Sequence, residues 1–526
     1  LPKLTLHPNT LASLPASIRR FDYDRTKLKS GIVHLGIGAF MRAHLAPIHE
    51  AFIASQTRSV NLHDVADNHW TNWGIVGVSL RQVDTRDALA PQDGLYTLAV
   101  RDADDDNEPR QTLQVIGCVK QILVAPESPQ AVLDQIAHRD TRIVSLTVTE
   151  KGYCHTPSDG VLQFAHPDIQ HDLTHPESPR TAIGFIVYGL AARKRQLHGP
   201  LTLMSLDNLP SNGHLLKRLV LAFAQVRDRD LAQWIEQNCS FPCSMVDRIV
   251  PRTTQEDKDQ IALTLGVLDR WPVIAEPFID WVIEDDFAAG RPDWATGNAR
   301  FVKNAAPWET LKLRMVNGAH SCIAYLGSVA GWSTVDEAIR QPELRACIET
   351  LLRDEVEPTL PALPGLDLAS YRLSLISRFA NPALAHRTQQ IAMDGSQKIP
   401  QRWLATLADQ INQKGDIKLL SLCLAGWLRY LQGYDEAGHR YEISDPLADK
   451  LKELLLVAPD LDCDQQSCYV RANDLCKIEA VFGHHRAVLT SQLIGLIGHH
   501  LNLLNTIGVL NTIRQVLSQV SPESIS

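Results

Sequence analysis

The sequence predicts an α/β domain built on a parallel sheet, followed by a mainly α-helical domain. Three observations carry this. Short β-branched runs alternate with helical stretches through the first half. Near residue 300 the pattern changes to long helical periodicity. The 526 residues are also too many for one ordinary core. The expected division is 1–300 and 301–526.

The strands come first. Gly31-Ile-Val-His-Leu35 and Gly74-Ile-Val-Gly-Val-Ser-Leu80 are short apolar runs bounded by glycine. Arg142-Ile-Val-Ser-Leu-Thr-Val-Thr149 and Leu201-Thr-Leu-Met-Ser205 complete a buried set. Such runs suit a sheet covered on both faces. Helical patterns at Pro129–His138 and Thr181–His198 lie between them. Gln56–Asn72 and the proline-containing Thr156–Pro179 are expected as surface loops. In the second half, helices are expected at Trp308–Leu326, Ser333–Arg353, Gln401–Gln413 and Lys418–Leu431. Several more should follow Asp445, a Pro-rich loop should occupy Val356–Leu366, and no strand is expected.

Composition narrows the function classes. The chain is 44% hydrophobic and 21% charged, with a net charge of −9. An acidic surface argues against nucleic acid and anionic membrane as partners. No apolar run approaches the roughly 18 residues of a membrane span. The first residues, Leu1-Pro-Lys-Leu, have no basic-then-apolar leader pattern, so a cytoplasmic protein is expected. Cys239/Cys243 and Cys463/Cys468/Cys476 lack Cys-x-x-Cys spacing, and reduced thiols are expected.

Leu35-Gly36-Ile-Gly38-Ala-Phe40-Met-Arg42 follows the first strand and opens a helix. Gly36 permits a tight turn, and Gly38 lets backbone approach a pyrophosphate at a helix N-terminus. The third glycine of the usual fingerprint is absent, with Met at 41. Arg42 could add a charge-assisted bond to phosphate. Asp84, just beyond the second strand, could accept bonds from an adenosine ribose and favour NAD over NADP. Arg81 stands nearby and could equally meet a 2′-phosphate.

Lys312-Leu-Arg-Met-Val-Asn317-Gly-Ala-His320-Ser places a lysine on an apolar stripe. At about 100° per residue, Met315, Val316, Ala319, Cys322, Ile323 and Leu326 share its face. His320 falls at about 80° from Lys312 and Asn317 at about 140°. Lysine is seldom buried unless paired, and burial lowers its pKa towards that of a usable base. The alternative is a lysine that snorkels to solvent.

With these motifs the chain resembles the polyol-specific long-chain dehydrogenases, which include mannitol 2-dehydrogenase and fructuronate reductase (D-mannonate oxidoreductase). The likeness spans roughly residues 30–450. It includes Ser145-Leu-Thr-Val-Thr-Glu150-Lys-Gly-Tyr153, Ser205-Leu-Asp207-Asn208-Leu-Pro, Met245-Val-Asp247-Arg248, Lys312-x4-Asn317-x2-His320 and Asp394-Gly-Ser-Gln-Lys398. The resemblance implies a Rossmann-type N-terminal domain and a helical C-terminal domain that closes over the substrate. It implies Lys312 as general acid/base, Asn208 and Asn317 as holders of the reacting oxygen, and His320 as a substrate-orienting group. Asp247 would bind a substrate hydroxyl, and Glu309 would serve proton traffic. Gly36, Gly38, Phe40, Arg42, Asp84 and Thr149 form the expected cofactor set. The implied cofactor is NAD rather than NADP, with no metal. A small sugar acid or polyol is the implied partner, and a monomer the implied assembly.

Residues 378–402 look most like fructuronate reductases. A uronate needs a cation for its carboxylate. Lys398 is the first choice, Arg387 the second and His386 the third; Arg378 and Arg402 are expected as solvated surface charges. Interconversion of D-fructuronate and D-mannonate is therefore the expected reaction. Mannitol–fructose oxidoreduction or another polyol such as D-arabinitol is the alternative. A noncatalytic sugar-binding protein would be expected to lack Lys312 or Asn317.

Overall fold

The computed structural model describes residues 2–58, 69–103, 109–156, 160–363, 365–455 and 464–520. The chain forms two compact units. One comprises Leu1–Asp102 and Arg110–Ala306, the other Ala103–Pro109 and Pro307–Ser526.

Among the described residues the first unit carries twelve strands: β1 (Ile32–Leu35), β2 (Ile75–Ser79), β3 (Tyr96–Ala103), β4 (Pro109–Ile116), β5 (Val119–Val124), β6 (Ile143–Leu146), β7 (Leu201–Ser205), β8 (Cys239–Ser240), β9 (Ser244–Asp247), β10 (Val273–Ala275), β11 (Asp280–Glu284) and β12 (Ala299–Val302). Six of them make a parallel sheet in the order β5-β2-β1-β6-β7-β8. The four strands expected from the sequence form its centre. Their residues are buried almost without exception, as a sheet covered on both faces requires. Helices Pro129–Ala137 and Ala182–Arg195 pack on it as expected.

Strand order reverses at β1, with β2 on one side and β6 on the other. In open α/β sheets that switch point marks the ligand crevice. The loop after β1 contains Gly36 and Gly38, so topology and motif indicate the same place.

Two three-stranded sheets, β10-β3-β4 and β12-β11-β9, were not expected. Their strands are short, or half-exposed with polar positions such as Arg101, Arg110 and Gln111. Neither kind produces a continuous apolar run. Of the expected loop 56–72, residues 59–68 lie outside the described residues. The expected loop 156–179 holds a helix, Pro167–Thr174. Proline at its first position suits a helix start. The buried Asp172 carboxylate accepts from the Arg180 and Thr181 amides at 2.7 and 2.9 Å, fixing the exit.

The second unit is helical, and isolated bridges such as Thr334↔Arg387 are its only ladder pairings among the described residues. Helix Gly318–Ala330 is buried on nearly every side and packs against the equally buried Lys418–Tyr430. The stretch expected as one helix over Ser333–Arg353 is broken. Val335–Ile339 ends, and Pro342 opens a new helix, Pro342–Thr350, that continues as the π-helical Leu351–Val356. Among the described residues, eight cysteines form no disulfide. Cys468 is disulfide-bonded, against the expectation of reduced thiols. Among the described residues no helix is long and apolar enough to cross a membrane.

Candidate active site

The glycine turn is built to stay open. Gly36 has φ +94°, and a Cβ there would sit 2.2 Å from the Thr147 carbonyl oxygen. The Thr147 hydroxyl donates to the Gly36 carbonyl at 2.8 Å, tying the end of β6 to the turn. Gly38 caps the short helix Ala39–Ala43, and a Cβ there would meet nothing closer than 3.9 Å. It therefore opens onto a cavity of about 420 Å³, lined also by Ser79, Arg81, Asp84 and Thr147. Met41 is fully buried and fills the helix–sheet contact that a third glycine would leave close.

Asp84 and Arg81 are both exposed on the cavity rim. One Asp84 oxygen accepts from the Thr85 amide at 2.9 Å. Arg42 departs from expectation, because it points into the core. Its guanidinium donates to the Trp271 carbonyl at 2.5 Å and lies 5.3 Å from the Tyr96 ring centroid. Burial brings its pKa down to about 10. It is a packing residue of the turn and does not line the cavity. Phe40 stacks on His44 and is likewise absent from the lining.

Thr149 adopts φ +62°, a strained backbone for a β-branched residue. Asp207 holds it there. The Asp207 carboxylate accepts from the Val148 and Thr149 amides, both at 3.0 Å, and from the Tyr153 hydroxyl at 2.8 Å. Burial raises its pKa, and these donors oppose the rise. Asp207 thus joins the loops after β6 and β7 and fixes the backbone next to Asn208, which is exposed. No role was expected for Asp207. An acid two residues beyond a wholly buried strand was the available signal. Asp247 is buried at the end of β9, where it pairs in register with Asp280.

In the second unit, helix Ala306–Leu311 runs into a π-helical turn, Lys312–Asn317, and then into Gly318–Ala330. The Gly318 amide bonds the Leu313 carbonyl five residues back. Such turns are rare and frequent at functional sites. This one changes the expected geometry. Counting about 80° per residue through the π turn and about 100° after it, Asn317 falls near 40° and His320 near 340°. Both therefore join Lys312 on one stripe, whereas an unbroken α-helix would spread them over about 140°. Lys312 is 6% exposed, so snorkelling to solvent is excluded. Glu309 is half-buried one turn earlier.

A second segment clamps the turn. The Arg402 guanidinium donates to the Asn317 carbonyl at 3.2 Å and to the Ser321 hydroxyl at 2.6 Å. The Trp403 indole donates to the Gly318 carbonyl at 3.1 Å. These are the carbonyls at the return from π to α geometry. Arg402 is thus no surface charge; burial lowers its pKa to about 10. Arg402→Met should lower kcat about tenfold with little change in KM, since small misplacement of a reacting group is costly. Partial rescue by added guanidinium would separate positioning from general damage, and unchanged kcat would refute the clamp.

The same unit gathers desolvated cations. Lys398 donates to the Ile391 and Met393 carbonyls at 3.3 and 2.5 Å. Burial, then Arg402, lowers its pKa to about 8. His386 is lowered to about 4 by burial and then Lys398. Burial drives His320 well down, followed by His386, Arg378, Arg402 and Lys312. His320 is therefore neutral, packed 4.3 Å from the Phe379 ring, with a buried Nε2 that has no hydrogen-bond partner among the described residues. Arg387 is exposed, at the cap of helix Thr388–Ala392.

The first unit's glycine turn at a sheet switch point, and the second unit's buried lysine with an amide and an imidazole on its helical stripe, fit one class of protein. It is that of dinucleotide-dependent oxidoreductases of sugar and polyol secondary alcohols. The chain belongs to the mannitol dehydrogenase family: the Mannitol dehydrogenase Rossmann domain matches residues 30–296 and the Mannitol dehydrogenase C-terminal domain residues 304–462. The D-mannonate oxidoreductase of Escherichia coli is 42% identical over 450 residues, covering 85% of this chain and 89% of its own. The mannitol 2-dehydrogenase of Phaeosphaeria nodorum is 40% identical over 442 residues, covering 83% and 75%. The mannitol 2-dehydrogenase of Pseudomonas fluorescens, solved as a ternary complex with NAD and D-mannitol, superposes with TM-score 0.85. It is 34% identical and covers 98% of this chain and 100% of its own.

Proposed function

We propose that this enzyme interconverts D-fructuronate and D-mannonate with NAD and without a catalytic metal. One observation carries the substrate choice: the Lys398 ammonium is desolvated beside His386 and Arg402, an environment that favours an incoming carboxylate. The likeness to a D-mannonate oxidoreductase supports it. The open glycine turn with acidic Asp84 on its rim fits NAD, which supplies the hydride acceptor when bound.

In oxidation the Lys312 amine takes the carbinol proton as the alkoxide develops, and its ammonium returns it in reduction. The Asn317 and Asn208 amides donate to the developing oxyanion without changing protonation state. Neutral His320 donates or accepts one hydrogen bond from the substrate through its free Nε2. Asp247 accepts from a substrate hydroxyl, and Glu309 relays the proton. Asp207 positions Thr149 and Asn208. A cytoplasmic monomer completes the reading.

The deciding experiment compares kcat/KM for D-mannonate, D-mannitol and D-arabinitol with NAD and NADP. Mannonate with NAD should lead; a preference for mannitol would overturn the substrate choice. EDTA should leave turnover intact, and loss of activity would point to a catalytic metal. Gly36→Ala should weaken NADH binding tenfold or more, because strain of about 1–3 kcal/mol adds to the overlap with Thr147. Fluorescence titration of NADH reads this directly.

A further inference from the structure

We infer that His214, Cys243 and Glu284 form a noncatalytic binding site for a zinc-class divalent cation. Their ligand atoms, one nitrogen, one sulfur and one carboxylate oxygen, lie within 4.8 Å of one another. No residue assigned above to the reaction belongs to this cluster.

The three residues are distant in sequence and are brought together by specific anchors. Cys243 immediately precedes β9, and Glu284 ends β11, which runs antiparallel beside it. The Cys243 amide donates to Glu284 Oε2 at 2.8 Å, and the Glu284 amide donates to the Cys243 carbonyl at 3.0 Å. Glu284 Oε1 accepts from the Ala305 amide at 3.2 Å. Each carboxylate oxygen keeps a second lone pair for a metal.

His214 lies in the first turn of helix Asn212–Arg227. Asn212 fastens that turn to β9: its amide donates to the Ser244 carbonyl at 2.8 Å, and its oxygen accepts from the Ser244 amide at 2.9 Å. At Gly213 a Cβ would lie 2.4 Å from the Phe241 carbonyl oxygen, so only glycine allows the helix this close.

The donor set suits zinc, which takes Cys sulfur, His nitrogen and carboxylate oxygen and keeps a fourth position for water. Tetrahedral bonds of about 2.0–2.3 Å require ligand atoms somewhat closer together than 4.8 Å. The exposed His214 ring can supply the closure by rotating. Binding converts the Cys243 thiol to thiolate and releases its proton to solvent. One thiolate, one carboxylate and one dication sum to zero, so a buried sulfur carries no net charge penalty.

Cobalt(II) titration of the full-length enzyme tests this by absorption rather than turnover. One equivalent should produce a thiolate-to-cobalt charge-transfer band that added zinc removes. Cys243→Ser should abolish the band. His214→Ala, a change at an exposed side chain, should weaken binding about tenfold or more. Absence of a band in the unmodified enzyme, or a band unaltered by His214→Ala, would overturn the site.

Discussion

Replacing Lys312 with alanine should lower kcat by more than about 100-fold, the usual contribution of a positioned general acid–base. The chemistry leaves no ready substitute. Hydride departure from a secondary carbinol demands removal of its hydroxyl proton, and Asn317 and Asn208 cannot accept one. Neutral His320 sits on the same helical stripe, but with a pKa held far down by burial, by His386 and by the cations Arg378, Arg402 and Lys312, it is a poor base. Added small primary amines should restore part of the rate, as an amine of the right size can occupy the place of the missing side chain. A Tm close to that of the unmodified enzyme would show that the fold survives. Near-normal turnover would sink the mechanism.

The parallel sheet was legible because buried strands and amphipathic helices have different apolar periods. The small sheets were not: β9 and β11 carry Asp247, Asp280 and Glu284 at their ends, and β3 and β4 are half-exposed along much of their length. The glycine turn was legible as sterics: Gly36 is at positive φ and against backbone. The direction of Arg42 was not. A residue in the first turn of a helix can face ligand or core, and the Trp271 carbonyl that decides it lies far away in sequence. The lysine stripe was legible, but its sharpest feature was hidden. No propensity reports a π turn, because the inserted residue is stabilised from outside, by donors on Arg402 and Trp403. The same blindness put Arg402 on the surface. Asp207 was visible as a residue and invisible as a hinge pin, because its partners are backbone amides on another strand's loop.

Replacing Lys398 with methionine should cut kcat/KM for D-mannonate about 100-fold, and do so chiefly through KM. Removing one partner of a desolvated charge pair costs about 2–5 kcal/mol, most of it from the charge left unpaired. Methionine keeps the length of the stem and loses the ammonium. In the unmodified enzyme the ammonium already spends two donors on the Ile391 and Met393 carbonyls, which leaves one for a ligand. The pH dependence is a stronger test than the variant. With a pKa of about 8, Lys398 is charged below that pH and loses its proton above it. A bound carboxylate stabilises the charged form and raises the pKa. Binding above pH 8 therefore takes up a proton, and KM for mannonate should climb towards tenfold per pH unit. KM for mannitol, which brings no carboxylate, should stay nearly flat over the same range. Stability moves with the opposite sense. The depressed pKa means the unfolded chain binds more protons between about pH 8 and the ordinary lysine value, so this residue alone makes the fold more stable as pH rises through that window. A mannonate KM that falls or holds steady above pH 8 therefore cannot be excused by unfolding, and would remove Lys398 from carboxylate recognition.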